Sequence, residues 1–189
     1  MAAENLLDSS AQFSLRQTAE QAEVSHNAPY RHFKNKEALI HAVLEKTVVD
    51  IADKTLKAPL LYGHSLTLQV QYVGRLLLMV ASRSPERAHL LFTYRNQKSD
   101  ETPSTLAAAY LLLRQNLILI LGESHELESR TRLDELAVQL LAIWHGLAMM
   151  FISKLHSSHT NSVAFFHTED QLFDLADVMA ENTLKSFMR

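Results

Sequence analysis

Residues 14–46 read SLRQTAEQAEVSHNAPYRHFKNKEALIHAVLEK, and their pattern decides the fold. Ser14 followed by Gln17 fits a capping box, in which two side chains satisfy two orphan backbone N–H groups, so a helix can begin at Leu15. Leu15, Ala19 and Ala22 recur at helical spacing and should face a core. Ser25 is a second good N-cap, which puts a turn at about 22–25 and a helix over about His26–His32. Pro29 falls near the start of that helix, where a missing N–H costs least, and Tyr30 and Phe33 are its apolar anchors. Asn35 can cap a third helix reaching about Leu56, with Leu39, Ile40, Val43 and Leu44 as its buried stripe. Two short helices, a tight turn and a longer third helix form the layout of a helix-turn-helix DNA reader.

Charge supports that reading locally rather than globally. The whole chain has net charge −3, and residues 1–57 hold seven Lys/Arg against eight Asp/Glu. Residues 25–36, however, contain Arg31, Lys34, Lys36, His26 and His32 with no Asp or Glu. Phosphate binding needs positive charge only at the contact surface. His26 and Asn27 could reach base edges, where Asn pairs with adenine. Tyr30, His32 and Lys36 suit phosphate oxygens as hydroxyl, imidazole and ammonium donors.

The same residues resemble the DNA-binding head of the TetR family of bacterial transcriptional regulators, most specifically through YRHFKNKEAL at residues 30–39. The resemblance implies an all-helical homodimer with a variable ligand-binding body, usually a repressor released from a double-stranded DNA operator by a small molecule. It places Ser14 and Arg16 at the start of the first reader helix and Ser25, His26, Asn27 and Ala28 at the head of the recognition helix. Tyr30, His32 and Lys36 match family positions that usually touch the DNA backbone. The chain departs from the family twice. Glu23 stands in the turn where Gly is usual, at a cost of roughly 1 kcal/mol for a left-handed backbone. The first helix is short, about Ala2–Ser9, with Leu6 and Leu7 as its contacts.

Beyond the head, 47% hydrophobic and 21% charged residues describe an ordinary globular protein. Four Gly and four Pro give little punctuation and favour long helices, so the expected fold is all-α. It comprises a helix-turn-helix head over 1–57 and a helical ligand-binding and dimerisation bundle over 58–189, about nine helices in all. A connector is expected at Lys57–His64 and an apolar helix at Ser65–Arg83 carrying Leu66, Leu68, Val70, Val73, Leu76, Leu77, Met79 and Val80. Ser84-Pro85-Glu86 should open a short helix to about Arg95, and Pro103 another to about Leu121. The stripe Leu133, Leu136, Ala137, Leu140, Trp144, Leu147, Ala148, Phe151, Leu155 marks a long helix over about Ser129–His156. Thr168 with Gln171 can cap a last helix bearing two apolar strips, Leu172/Leu175/Ala176/Met179 and Phe173/Ala180/Leu184/Phe187. One strip suffices for packing, so the other suggests a partner. Trp144-His145-Gly146 resembles a TetR-family body type named after that triplet, and Gly146 should permit close helix approach.

An apolar effector pocket is expected between the helices starting near Ser65, Pro103 and Ser129, with Arg75, Tyr110, Asn116, Trp144 and His145 as residues able to orient a ligand. Zero Cys excludes a disulfide scaffold and thiolate chemistry, and fits a reducing cytoplasmic setting. Met1–Ser10 has no signal-peptide pattern, and Leu106–Leu121 is too short and polar to span a membrane. Ten His lack HExxH or paired ExxH spacing, so no metal or other cofactor is expected. No phosphate loop or nucleophile elbow points to an enzyme. The alternative to a regulator is a helical small-molecule-binding or dimerisation protein with lost or weak DNA binding.

Overall fold

The computed structural model describes residues 2–9, 13–93, 105–123, 130–156 and 168–188, and these are all helix and connecting turns. In chain order the helices are α1 (Ala2–Ser9), α2 (Leu15–Gln21), α3 (Ala28–His32), α4 (Lys36–Thr55) and α5 (Ala58–Tyr62), followed by α6 (Leu66–Arg83), α7 (Pro85–Thr93), α8 (Thr105–Glu123), α9 (Arg130–His156) and α10 (Glu169–Phe187). The all-α expectation holds, with ten helices among the described residues in place of about nine. The additional one, α5, occupies the expected connector. Pro59 opens it instead of breaking the chain, because a proline in the first turn removes an N–H that has no helical partner anyway. Gly63, at φ 55°, ends it. The helix end expected at Arg95 and the helix start expected at Pro103 lie outside the described residues, and α8 continues through Gly122 and Glu123, past the end expected at about Leu121.

Local chemistry sets most helix starts. The Asn35 side chain accepts from Ala38 N at 2.9 Å to open α4, Ser65 accepts from Leu68 N to open α6, and Thr168 accepts from Gln171 N at 3.2 Å to open α10. Of the stripe expected on α9, Leu133 through Phe151 is buried; Leu155 lies outside the residues whose side chains are described. On α6 the buried residues are Gln69, Val70, Val73, Gly74, Leu78 and Ala81, whereas Leu68 is exposed. On α10 neither expected strip is the buried one. Leu172, Ala176, Ala180 and Leu184 form a single i, i+4 line into the core, and Leu175 and Val178 face outward. That line packs against α6 and α9, flanked by partly buried Phe173, Met179 and Phe187.

Two clusters of buried side chains result. The body cluster joins α6, α8, α9 and α10 around Trp144, and takes in Ile51 and Ala52 from the end of α4. The head cluster gathers Leu7, Phe13, Leu15, Leu39, Ile40, Val43, Leu44 and Val48, and is completed by Leu91 from α7. Head and body therefore share side chains along α4 and α7. Thr131–Ser153 of α9 is by length and composition apolar enough to cross a membrane, a property not expected from the sequence; in this fold it packs against α6, α8 and α10.

Candidate nucleic-acid interface and body grooves

The head is built on the Ser14–Gln17 capping box as expected. Ser14 N donates to Gln17 Oε1 at 2.7 Å, and Gln17 N donates to Ser14 Oγ at 3.2 Å. Leu15 and Ala19 are buried, while Ala22, expected to join them, is exposed because the chain leaves the helix there. Glu23 then takes φ 55°, the one positive-φ residue other than glycine among those described. This is the left-handed turn at which the family usually carries Gly, and an L side chain is strained there.

The recognition helix starts later than expected. Its N-cap is Asn27, with no side-chain cap bond, and Ser25 contributes its carbonyl instead, accepting from Ala28 N at 2.8 Å. With the Ala28 N–H satisfied by that turn and no N–H on Pro29, little is left for a side-chain cap to serve. Pro29 is buried and Phe33 half-buried, so these two anchor α3. Tyr30, expected as an anchor, is 59% exposed, which suits it to the phosphate role assigned to it from the sequence. Ser14, Arg16, Ser25, His26, Asn27 and His32 are exposed, and Ala28 is half-buried beside them. Arg31 and Lys34, not among the residues singled out as contacts, are exposed on the same short segment. Lys36 is half-buried, its Nζ 4.9 Å from the centre of the Phe13 ring, a cation–π seat that fixes where the ammonium stands. Acidic groups border this face. Glu20 Oε1 is 3.1 Å from Arg16 Nε and 4.0 Å from His26 Nδ1, so one carboxylate holds two expected DNA contacts.

In the body, among the expected ligand residues whose side chains are described, Arg75 and Asn116 do not join Trp144 and His145 at one groove. Arg75 lies on the surface, ion-paired to Asp177 of α10 at 2.5 Å and stacked on Phe173; the Asp177 hydrogen bond raises its already high pKa. Asn116 is buried, but its Nδ2 is used up, donating to Ala52 O at 2.9 Å and Thr55 Oγ1 at 3.1 Å. Tyr110 is on α8, outside the residues whose side chains are described. Only Trp144 and His145 come together, at a groove of about 450 Å³ shared with Leu77, Val138, Leu141, Ala142 and Gly146. A second groove, of about 350 Å³ between α8 and α9, is bounded by Leu111, Arg114, Gln115, Ile118, Thr131 and Asp134, with Arg114 and Asp134 ion-paired.

Gly146 does not serve close helix approach, since a Cβ there would meet nothing within 4 Å. That part belongs to Gly74 of α6, where a Cβ would stand 2.4 Å from Trp144 Nε1. The indole is 1% exposed and its Nε1 has no hydrogen-bond partner. The contact could have been sought in the sequence, because Gly74 interrupts an otherwise apolar helix that has room for a large neighbour. Among the described residues, no three His, Asp or Glu side chains cluster as metal ligands would.

Comparison with known proteins fits this geometry. No curated protein matches the chain. Among solved structures, a protein of unknown function from Rhodococcus sp. RHA1 superposes with a TM-score of 0.68 at 18% identity, over 96% of this chain and 93% of that one. The TetR family repressor AlkX from Dietzia sp. strain DQ12-45-1b, implicated in biodegradation of n-alkanes, superposes with a TM-score of 0.54 at 18% identity, over 97% and 92% of the two chains. Residues 10–43 match the family model of bacterial regulatory proteins, tetR family. The head of this chain thus carries a helix-turn-helix segment that matches the tetR-type regulators over residues 10–43, on a body that is helical among the described residues.

Proposed function

We propose that the chain is a cytoplasmic transcriptional repressor that binds operator DNA as a homodimer and is released when a small apolar molecule enters the groove beside Trp144. The observation that carries this is the exposure of Ser25, His26, Asn27, Tyr30 and His32 around a short helix anchored from behind by Pro29 and Phe33. Asn27 and His26 read bases, and Tyr30, His32, Ser14, Arg16 and Lys36 hold phosphates. Residues 1–57 act as the DNA-binding domain and 58–189 as the ligand-binding and dimerisation domain. The body is of the Trp-His-Gly type, resting on Trp144-His145-Gly146 in α9. Exposed Met150 on α9 and Leu175 and Val178 on α10 give the dimer an apolar seam, which a two-fold axis closes on itself. Among the described residues the Trp144 groove is bordered by no Asp, Glu, Lys or Arg, only by apolar side chains and the His145 imidazole, so an uncharged, largely apolar effector fits it.

The test is selection of duplexes from a random DNA pool, followed by binding across a salt series. Tyr30→Ala and Lys36→Ala should weaken binding to all sequences, and Lys36→Ala should flatten the salt dependence by about one phosphate contact. Asn27→Ala should instead relax preference at one base position. Binding unchanged in all three variants would refute the interface. A chain that selects no duplex while remaining folded and dimeric would favour the alternative of a ligand-binding or dimerisation protein, for which Glu20 and Glu23 beside the reading face are the supporting observation.

A further inference from the structure

We propose that Arg87 is a positioning residue that fixes the angle of the head by clamping α1 to α7. Arg87 grips Asp8 of α1 at two points, Nε donating to Oδ1 at 2.8 Å and Nη2 donating to Oδ2. Such a two-point grip fixes direction as well as distance. The same guanidinium reaches Thr47 Oγ1 of α4 at 3.5 Å and Ser84 Oγ, at the α6–α7 joint, at 3.2 Å. One side chain thus touches α1, α4 and the joint. The pair is only 16% and 27% exposed, so water competes for it less than for a surface ion pair. Beside it Leu7, fully buried, shares the head cluster with Leu91 of α7, which adds apolar contact along the same seam.

Removing the grip leaves the head sampling a wider range of angles, of which few suit both half-sites at once. If about one in ten remains competent, the apparent affinity falls about tenfold.

The DNA part of the test rests on the regulator reading, and the distance part does not. The chain has no Cys, so nitroxide labels at Lys34→Cys and Leu119→Cys report one head-to-body distance, read on labelled full-length chain diluted into excess unlabelled chain. A narrow distribution is expected for the parent. Arg87→Gln and Asp8→Asn should each broaden it, and Asp8→Arg combined with Arg87→Asp should narrow it again. Arg87→Lys keeps the charge without the two-point grip and should broaden the distribution with Trp144 emission unchanged, which serves if the other variants unfold. On selected duplexes, Arg87→Gln should weaken binding about tenfold with the salt slope unaltered, because no phosphate contact is lost. An unchanged distance distribution in Arg87→Gln and Arg87→Lys would overturn the clamp, as would a salt slope lowered by one contact, which would make Arg87 a DNA ligand. If the parent selects no duplex, the regulator reading fails and the distances alone decide the clamp.

Discussion

Replacing Gly74 by alanine sets two opposed effects against each other at one atom. In a helix interior, Gly→Ala ordinarily stabilises by about 0.8–1 kcal/mol, because alanine loses less backbone entropy. At Gly74 the new Cβ would stand 2.4 Å from Trp144 Nε1, 2.5 Å from Cε2 and 3.0 Å from Cζ2. Ordinary contact begins near 3.4 Å, so the overlap reaches about an ångström and falls on a rigid ring instead of the end of a flexible side chain. The ring is 1% exposed and sits in the body cluster with Val70, Val73, Leu140 and Leu147, so it has little room to retreat. Overpacking of this kind costs about 1–3 kcal/mol, and a rigid, enclosed partner argues for the upper half of that range. The net expectation is about 1–2 kcal/mol of destabilisation, or roughly 2–8 °C in Tm for a chain of this size. Urea unfolding followed by tryptophan emission measures both stability and site, because Trp144 is the only tryptophan. Trp144→Leu removes the ring atoms Nε1, Cε2 and Cζ2 that the new Cβ would meet. In that background Gly74→Ala should cost less than about 0.5 kcal/mol or become stabilising, with coupling of about 1–2 kcal/mol in the double-mutant cycle. Gly74→Ala at parental stability with unshifted emission would refute the close approach of α6 and α9 from which these magnitudes follow.

Three further perturbations address other joints. Glu23→Gly relieves the φ 55° strain and should raise Tm by the equivalent of roughly 1 kcal/mol, while tightening DNA binding by removing an acid beside the reading face; a lower Tm in calorimetry would contradict the strained turn. Ser14→Ala dismantles the capping box and should cost about 1 kcal/mol, seen as a lower urea midpoint; Ser14→Thr should retain most of it. Asn116→Leu removes the bonds to Ala52 O and Thr55 Oγ1 while the Thr55 hydroxyl still donates to Ala52 O, for a loss of about 1 kcal/mol in chemical denaturation; no loss would mean that α4 and α8 are held by apolar packing alone.

The parts of this fold that could be read from sequence are those fixed by chemistry within about four residues. The Ser14, Asn35, Ser65 and Thr168 caps each serve a backbone N–H three positions ahead, so residue type and spacing suffice to find them. Glu23 belongs with them, since the conformation of that turn is local and its departure from glycine predicted strain at the residue that shows it. Tyr30 was misplaced because an aromatic residue in a short helix serves equally as an anchor or as a displayed group. Only the packing of Pro29 and Phe33 behind it decides which.

Two of the expected ligand residues, Arg75 and Asn116, are engaged by the protein itself for a related reason. Arg75 and Asn116 were chosen as polar groups on apolar helices, a pattern shared by a ligand contact and by a bond to a neighbouring helix. In each case the partner lies far along the chain: Asp177 for Arg75, and Ala52 with Thr55 for Asn116. A polar group already satisfied by the protein has little left to offer a ligand, because any new bond must first break the old one. The Trp144 groove differs in this respect. Its indole N–H is buried without a partner, and among the described residues no Asp, Glu, Lys or Arg borders it to compete for an apolar guest. On the proposed reading, burial of apolar ligand surface would supply the affinity there. Selectivity then follows from size and shape more than from hydrogen bonding. A series of uncharged ligands should gain affinity with each buried CH₂, by about 0.8 kcal/mol, until the roughly 450 Å³ of the groove is filled, and then lose it. Titration against Trp144 emission measures this directly. Affinity that rises with ligand charge instead of apolar area would place the effector site elsewhere, at the Arg114–Asp134 groove.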